Sequence, residues 1–250
     1  MKKPQKKAAQ FPAMPVPEKA AWPMRINKYL ALKNYATRRG ADELVEKKRV
    51  IINGRIAVLG DKVAEKDIVE VKSGKKPTVY EYYAYHKPRG VVTLAPSEGE
   101  KSINTLVGRT DIFPVGRLDK MSTGLIIMTN DGRVTDRLLN PKYDHEKEYI
   151  VSTNNPLRSN FKALMEKGVD IGDAVTKKCT VEILGEQKFS IVLGEGKHHQ
   201  IRRMADACFA EVRDLKRTRI MNIKLGTQPV GSLRPIKDKE LKTFLTALGL

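Results

Sequence analysis

Cysteine is scarce in this chain of 250 residues, which contains only Cys179 and Cys208. Two thiols cannot build the disulfide framework of a small secreted domain, so we expect a reducing compartment. The two cysteines and four histidines also lack the paired spacing of metal ligands. This absence argues against a structural zinc ion, and we predict no metal site.

Long apolar runs are missing as well. No uninterrupted run exceeds the four residues of Leu125–Met128, whereas a membrane-spanning helix needs about 20. The lysine-rich start of the chain has no apolar stretch typical of a secretory signal. We therefore expect a cytoplasmic protein that has no membrane partner.

Acidic residues are too few to balance the basic ones. Lys and Arg number 47 against 29 Asp and Glu, which gives a net charge of +18. Residues 1–79 hold 19 basic and 8 acidic residues, and residues 80–250 hold 28 and 21. The net charge predicts a polyanionic partner. Its distribution indicates a small basic module followed by a larger domain in which the basic and acidic residues are more nearly equal in number.

Four segments follow from the changes in composition along the chain. Residues 1–23 are rich in Lys and Pro and have no hydrophobic period, which predicts a disordered basic tail. Residues 24–72 form the first module, and residues 73–78 form a linker of Gly, Lys and Pro. The second domain covers residues 79–250.

Two short helices are predicted at the start of the first module. Ile26, Tyr29 and Leu30 have the i, i+3, i+4 spacing of a helix face. Thr37 is a suitable N-cap for the second helix. The stripe that this second helix should bury consists of Ala41, Leu44 and Val45.

A hairpin follows the helices. The apolar run Val50–Ile52 leads into Asn53-Gly54, a strong signal for a two-residue turn, and residues 55–58 form the returning strand. Residues 67–71 add another strand.

Three strings in this module resemble the S4 RNA-binding fold: Arg25–Leu30, Thr37–Ala41 and Val50–Arg55. In that fold the two helices and the hairpin present basic residues to structured RNA. The resemblance therefore implies RNA contacts from Arg38, Arg39 and Arg55. The alternative is a solvated basic face without specific contacts.

The most informative segment of the second domain surrounds Asp119. An aspartate in a loop is usually a turn or capping residue. Here, however, a longer pattern is present, made of Gly116-Arg117-Leu118-Asp119, Thr123-Gly124-Leu125 and Thr129-Asn130-Asp131-Gly132. This pattern resembles the ribosomal RNA pseudouridine synthases that carry an N-terminal S4 domain. The resemblance covers residues 24–250 and implies that Asp119 is the catalytic residue.

The family isomerises uridine to pseudouridine, a reaction that needs no redox change or phosphate transfer, so the resemblance implies no cofactor. Asp119 acts either as a nucleophile at the sugar or as the base that takes a sugar proton. The strings 140–149, 175–179 and 217–222 resemble the subgroup that acts on large-subunit rRNA. This subgroup implies 23S rRNA and, in some bacteria, tyrosine tRNA as partners. The alternatives are another rRNA site and a non-catalytic RNA-binding assembly factor.

Two further catalytic residues are implied by the resemblance. Tyr149 matches the tyrosine that stacks on the flipped uracil, although a strand tyrosine is more often packed in a core. A carboxylate in a partly dry pocket also needs a cationic partner. By motif order we assign that role to Arg234, with Arg202 and Arg203 as the other candidates.

Additional RNA-binding residues are expected around this site: Arg117, Lys147, Gln200, Arg202 and Arg203. A structural helix cap is the alternative for the last three. His199 departs from the family pattern, which more often has arginine there, and its role is therefore open. Cys208 shares an apolar stripe with Ile201 and Met204, which predicts a core position.

The fold class expected from these patterns is α+β. β-rich runs at Leu125–Thr129, Tyr149–Thr153 and Phe189–Leu193 predict strands. The resemblance adds a mixed, mainly antiparallel sheet flanked by helices, preceded by the small S4 module. A monomer is the default expectation.

Overall fold

The computed structural model describes residues 22–33, 35–36, 38–72 and 79–250. The predictions for the tail before residue 22, for Thr37 as an N-cap and for the linker 73–78 lie outside the described residues. The chain divides into two compact units, Met1–Thr78 and Val79–Leu250.

The N-terminal unit contains two helices and two small sheets within its described residues. Its elements are β1 (Met24–Arg25), α1 (Ile26–Leu32), α2 (Arg38–Glu46), β2 (Val50–Ile52), β3 (Arg55–Ile56), β4 (Lys62–Val63) and β5 (Val69–Val71). β1 pairs with β4, and the second sheet has the order β3-β2-β5. Both predicted helices form, and the predicted stripe of α2 is buried against Ile26 and Leu30 of α1.

The hairpin between β2 and β3 turns at the predicted dipeptide. Asn53 and Gly54 both have positive φ angles, 49° and 80°, as the tight hairpin turn requires. The Asn53 side chain also donates to Asp67 Oδ1 at 2.9 Å and accepts from the Ile68 amide at 2.9 Å. The returning strand ends at Ile56 and is shorter than the predicted 55–58.

The C-terminal unit is built on one sheet. Its elements are β6 (Tyr82–Lys87), α3 (Ile103–Val107), β7 (Phe113–Val115), β8 (Thr123–Thr129), α4 (Arg133–Leu139), a 3₁₀ turn (Pro141–Tyr143), β9 (Lys147–Thr153), α5 (Phe161–Glu166), β10 (Thr180–Gly185), β11 (Lys188–Leu193), α6 (Gln200–Ala207), β12 (Val212–Ile220), β13 (Ile223–Lys224), β14 (Leu233–Pro235) and α7 (Asp238–Ala247). The strand order is β10-β11-β9-β12-β8-β6-β14, with β13 on β12 and β7 on β8. Of the strand pairs in residues 79–250, only β8 with β12 is parallel. The predicted α+β class with a mainly antiparallel sheet is confirmed.

The sheet buries both of its faces. Along β8, Ile126 and Met128 join one apolar cluster, whereas Leu125 and Ile127 join the other. This alternation explains why the strand reads as a continuous apolar run, because a central strand is covered on both sides. The strand that precedes Asp119, β7, ends at Val115.

Helices cover the two faces. α3, α5 and α6 contribute to the first cluster, and α4 and α7 contribute to the second. Cys208 lies in the first cluster, as its place on the apolar stripe predicted. The helices in the described residues have at most ten residues, and none there is long and apolar enough to cross a membrane.

Candidate active site

Asp119 lies in the loop that joins β7 to β8, and the backbone of this loop is held in place. The Thr93 hydroxyl donates to the Leu118 carbonyl at 2.7 Å and accepts from the Leu118 amide at 3.1 Å. The Ser122 amide donates to the Asp119 carbonyl at 3.0 Å. With Leu118 buried, the Asp119 side chain stays 39% exposed. The loop therefore presents a carboxylate to solvent from a fixed backbone.

Lys87 lies fully buried at the end of β6 and supports the loop from inside. Its Nζ donates to the carbonyls of Pro88, Lys120 and Ser122, at 3.0, 3.3 and 2.8 Å. Burial lowers the pKa of Lys87 to about 8, while the charge of Asp119 opposes that shift and the charge of Arg217 adds to it. Lys87 thus ties the loop together and brings a cation close to Asp119.

Arg217 is a second buried cation at this site. It lies on β12, where its Nε donates to the Leu125 carbonyl at 2.7 Å and its Nη1 contacts the Arg117 carbonyl at 3.5 Å. Its Nη2 is buried and has no partner among the described residues. An unpartnered buried donor is costly, so this nitrogen is available to an acceptor that enters the pocket.

Tyr149 lies on β9 directly opposite Arg217 on β12. The Arg217 guanidinium carbon is 6.0 Å from the centre of the Tyr149 ring. The tyrosine is 9% exposed and its side chain belongs to the first apolar cluster. Tyr149 is therefore packed in the core, as is usual for a strand tyrosine, and its ring also borders Arg217.

Lys147 begins β9 two residues before Tyr149, so both side chains lie on the same face of the strand. Its Nζ donates to the His145 carbonyl at 3.0 Å. Burial lowers the pKa of Lys147 to about 8, and the nearby charge of Arg217 lowers it further whereas Asp144 opposes the shift. Lys147 is thus a partly buried cation close to Arg217.

The structure does not show the predicted pairing of Arg234 with Asp119. Arg234 lies on the edge strand β14, and its terminal nitrogens donate to Glu240 at 2.7 and 3.1 Å. A carboxylate only six residues away in α7 therefore occupies this guanidinium. Arg217 instead contacts the Asp119 loop through the Arg117 carbonyl, and its charge acts on Lys87 as that of Asp119 also does.

The predicted RNA-binding residues of α6 have internal partners. Gln200 is buried, and it donates to Glu195 Oε1 at 2.8 Å and accepts from the Lys197 amide at 2.8 Å. Arg202 donates to the Val212 carbonyl at 3.1 Å. Arg203 donates to the Ile171 carbonyl and to the carboxylate of Asp173. These contacts favour the structural alternative for all three residues, and most clearly for the buried Gln200.

The other predicted RNA-binding residues are exposed. Arg38 and Arg39 begin α2 of the N-terminal unit, and Arg55 follows the hairpin turn and pairs with Asp61 at 2.9 Å. Arg117 is exposed two residues before Asp119. His199, whose role the sequence left open, places its Nε2 3.4 Å from Asp119 Oδ1.

Comparisons with known proteins agree with this arrangement. Residues 81–207 match the family described as RNA pseudouridylate synthase, and residues 24–69 match the S4 domain. The chain belongs to the RNA pseudouridylate synthase family. Its members include the dual-specificity RNA pseudouridine synthase RluF of Escherichia coli (strain K12), which is 39% identical to this synthase over 223 residues, 87% of this chain and 77% of RluF.

Other relatives cover the synthase almost end to end. An uncharacterized RNA pseudouridine synthase of Aquifex aeolicus is 36% identical and covers 91% of this chain and 96% of its own. The ribosomal large subunit pseudouridine synthase B of Bacillus subtilis is 31% identical over 87% of this chain and 94% of its own. A crystal structure of a pseudouridylate synthase superposes with a TM-score of 0.65 at 26% identity, covering 90% of this chain and 99% of that one.

These findings confirm three predictions made from the sequence: the pseudouridine synthase family with an S4 domain, the subgroup that acts on large-subunit rRNA, and an enzyme that isomerises uridine. The sequence did not single out Lys87 or Arg217 for this site. Arg217 lies within one of the strings that resemble the subgroup, but only the contacts in the structure give it a place. Lys87 is the last residue of β6 and is followed by Pro88-Arg89-Gly90, a string that carries no chemical signal of its own.

Proposed function

We propose that this synthase converts a uridine of 23S rRNA to pseudouridine, and that the anticodon of tyrosine tRNA is a second substrate. The names of the relatives support this choice, because one is called dual-specificity and another a large-subunit enzyme. The observation that carries the proposal is the carboxylate of Asp119 on a fixed loop beside two buried cations, Lys87 and Arg217. The enzyme would act in the cytoplasm as a monomer.

The reaction breaks the bond between uracil N1 and ribose C1′ and forms a bond between C5 and C1′. A proton leaves C5 and N1 ends with a proton, so the product is an isomer of the substrate. Asp119 would either attack C1′ or take a proton from the sugar, and both routes need the ionised carboxylate.

The neighbours of Asp119 receive complementary roles in this proposal. A uracil within a helix must leave its stack to reach the pocket, and Tyr149 would stack on the flipped base. The free Nη2 of Arg217 would bind an oxygen of the uracil or of Asp119 once the pocket is filled. Lys147 and Arg117 would contact the RNA backbone next to the flipped nucleotide.

The test is to incubate the purified enzyme with unmodified transcripts of 23S rRNA, 16S rRNA and tyrosine tRNA and to map pseudouridines by carbodiimide-dependent stops in primer extension. We expect a single position in 23S rRNA and one in the tRNA anticodon. Modification of 16S rRNA alone would refute the proposed target but not the enzyme class. A complete lack of product, with RNA binding intact, would favour an assembly factor.

The N-terminal unit is proposed to dock the RNA through Arg38 and Arg39. Both are exposed at the start of α2, where the charge of their side chains can meet a phosphate. We expect the double substitution Arg38→Ala/Arg39→Ala to weaken binding to a 23S fragment by roughly tenfold and to reduce the slope of log K against log salt by about 2. Filter binding between 50 and 300 mM salt measures both quantities.

Lys62→Ala/Lys66→Ala is the matched control, since it removes the same charge from exposed positions of the same unit. The control should retain most of the affinity, and the single-turnover rate at saturating RNA should be unchanged in both variants. An equal loss in the two double variants would show that Arg38 and Arg39 contribute only general charge.

A further inference from the structure

We propose that His199 is a positioning residue for the isomerisation: its imidazole holds the Asp119 carboxylate in place, and more firmly when it is protonated. This inference rests on the proposed catalytic role of Asp119. It adds a source of pH dependence to the reaction, because imidazole changes its charge between pH 5 and 8 whereas arginine does not.

The contact between His199 and Asp119 carries the inference. The distance from His199 Nε2 to Asp119 Oδ1 is 3.4 Å, within the range of an ion pair but longer than a typical hydrogen bond. A protonated imidazole makes shorter and stronger contacts with a carboxylate than a neutral one does. Charge on His199 would therefore tighten this contact.

The backbone and a neighbouring ring fix the direction of the imidazole. His199 has a φ of 51°, in the left-handed region, and it immediately precedes α6. Its carbonyl accepts from the Arg203 amide at 3.0 Å, which anchors the residue to the helix. The His198 ring stacks on it with centroids 3.9 Å apart. The backbone contact and the ring stacking thus both favour the direction in which the imidazole meets Asp119.

Other charges on the Asp119 loop face solvent: Lys120 is exposed and pairs with Glu100 at 2.7 Å, and Arg117 is exposed two residues before Asp119. Lys87 and Arg217 lie on the buried side of the Asp119 loop. Lys197 precedes the histidines in sequence and pairs with Glu195 at 2.8 Å. The imidazole and the carboxylate are 45% and 39% exposed, so a bound nucleotide would displace water here and strengthen their interaction.

The experiment compares wild type with His199→Arg in single-turnover reactions at saturating 23S fragment between pH 6 and 8.5. Dividing the wild-type rate by the His199→Arg rate at each pH cancels the effect of Lys87 and Lys147, whose lowered pKa values both proteins share. We expect the ratio to fall by roughly three- to tenfold as pH rises, since only the wild type loses its cation.

A second variant separates positioning from RNA binding. His199→Asn should fold, because asparagine tolerates the left-handed conformation. It should lower the saturating rate by roughly fivefold and change RNA affinity little. The inference would be overturned if the ratio of the wild-type rate to the His199→Arg rate did not change with pH. It would also be overturned if His199→Asn lost RNA affinity but kept its rate at saturating RNA. In either case, pseudouridine formation by the wild type would still support the proposed function. A wild type that makes no pseudouridine would overturn both.

Discussion

Asp119→Asn is expected to lower the single-turnover rate of pseudouridine formation by at least ~1,000-fold, because the amide can neither attack the sugar nor take its proton. The substitution keeps the size of the side chain, and the loop backbone depends on Thr93, Ser122 and Lys87 rather than on the carboxylate. We therefore expect the variant to fold and to bind a 23S fragment within about threefold of wild type. Quantifying product after one turnover, with affinity measured in parallel, tests both statements.

Asp206→Asn provides the control for charge. It makes the same change in net charge at an exposed position of α6, seven residues beyond His199. This variant should keep the wild-type rate, so any shared change in affinity reports the added positive charge alone. If the rate of Asp119→Asn were within tenfold of wild type, Asp119 would not be the catalytic residue, and a neighbouring group would have to perform the reaction.

Local patterns explain which parts of the fold could be predicted. The helix spacing of Ile26, Tyr29 and Leu30 and the Asn53-Gly54 turn act over a few residues, so the sequence displays them directly. The central strand β8 is also visible, because burial on both faces demands an apolar run. The loop after β7 was less predictable, since the polar contacts that hold Leu118 come from Thr93, 25 residues earlier.

The residues around Asp119 show the limit of such patterns. Arg217 reaches the site by donating to a carbonyl 92 residues away, and Lys87 contacts carbonyls 33 and 35 residues further along the chain. Chain order cannot reveal such contacts, because the first depends on the parallel pairing of β8 with β12 and the second on the antiparallel pairing of β6 with β8. The same limitation explains the choice of Arg234, because motif order does not show that Glu240 is near enough to bind it.

Gly124→Ala is expected to lower the free energy of unfolding strongly, because β8 lies very close to β12 at this residue. Gly124 lies opposite Arg217 in the only parallel pair among residues 79–250. A Cβ at this glycine would lie 2.2 Å from the Arg217 carbonyl oxygen and 2.5 Å from its amide nitrogen. Because both atoms belong to backbone, no side-chain rotation can relieve the overlap, and the strands would have to separate.

The backbone conformation adds to this cost. Gly124 has a φ of +109°, which an alanine adopts only with strain. Strain and overpacking together should reduce the free energy of unfolding by roughly 3–5 kcal/mol. Gly172→Ala is the matched control, because its φ of +93° is similar and its Cβ would meet nothing within 4 Å. We expect about 1–2 kcal/mol for the control, from strain alone.

Urea denaturation followed by circular dichroism measures both variants, and hydrogen exchange in a peptide covering residues 123–129 locates the damage. Separating β8 from β12 also moves Arg217, so any folded Gly124→Ala enzyme should lose single-turnover rate at saturating RNA. Gly172→Ala should keep the wild-type rate. Equal losses of unfolding free energy in the two variants would mean that separating β8 from β12 costs little. The close approach of the two strands would then not determine where Arg217 lies. A difference of several kcal/mol, accompanied by a lost rate, would tie the position of this buried arginine to a single glycine on the neighbouring strand.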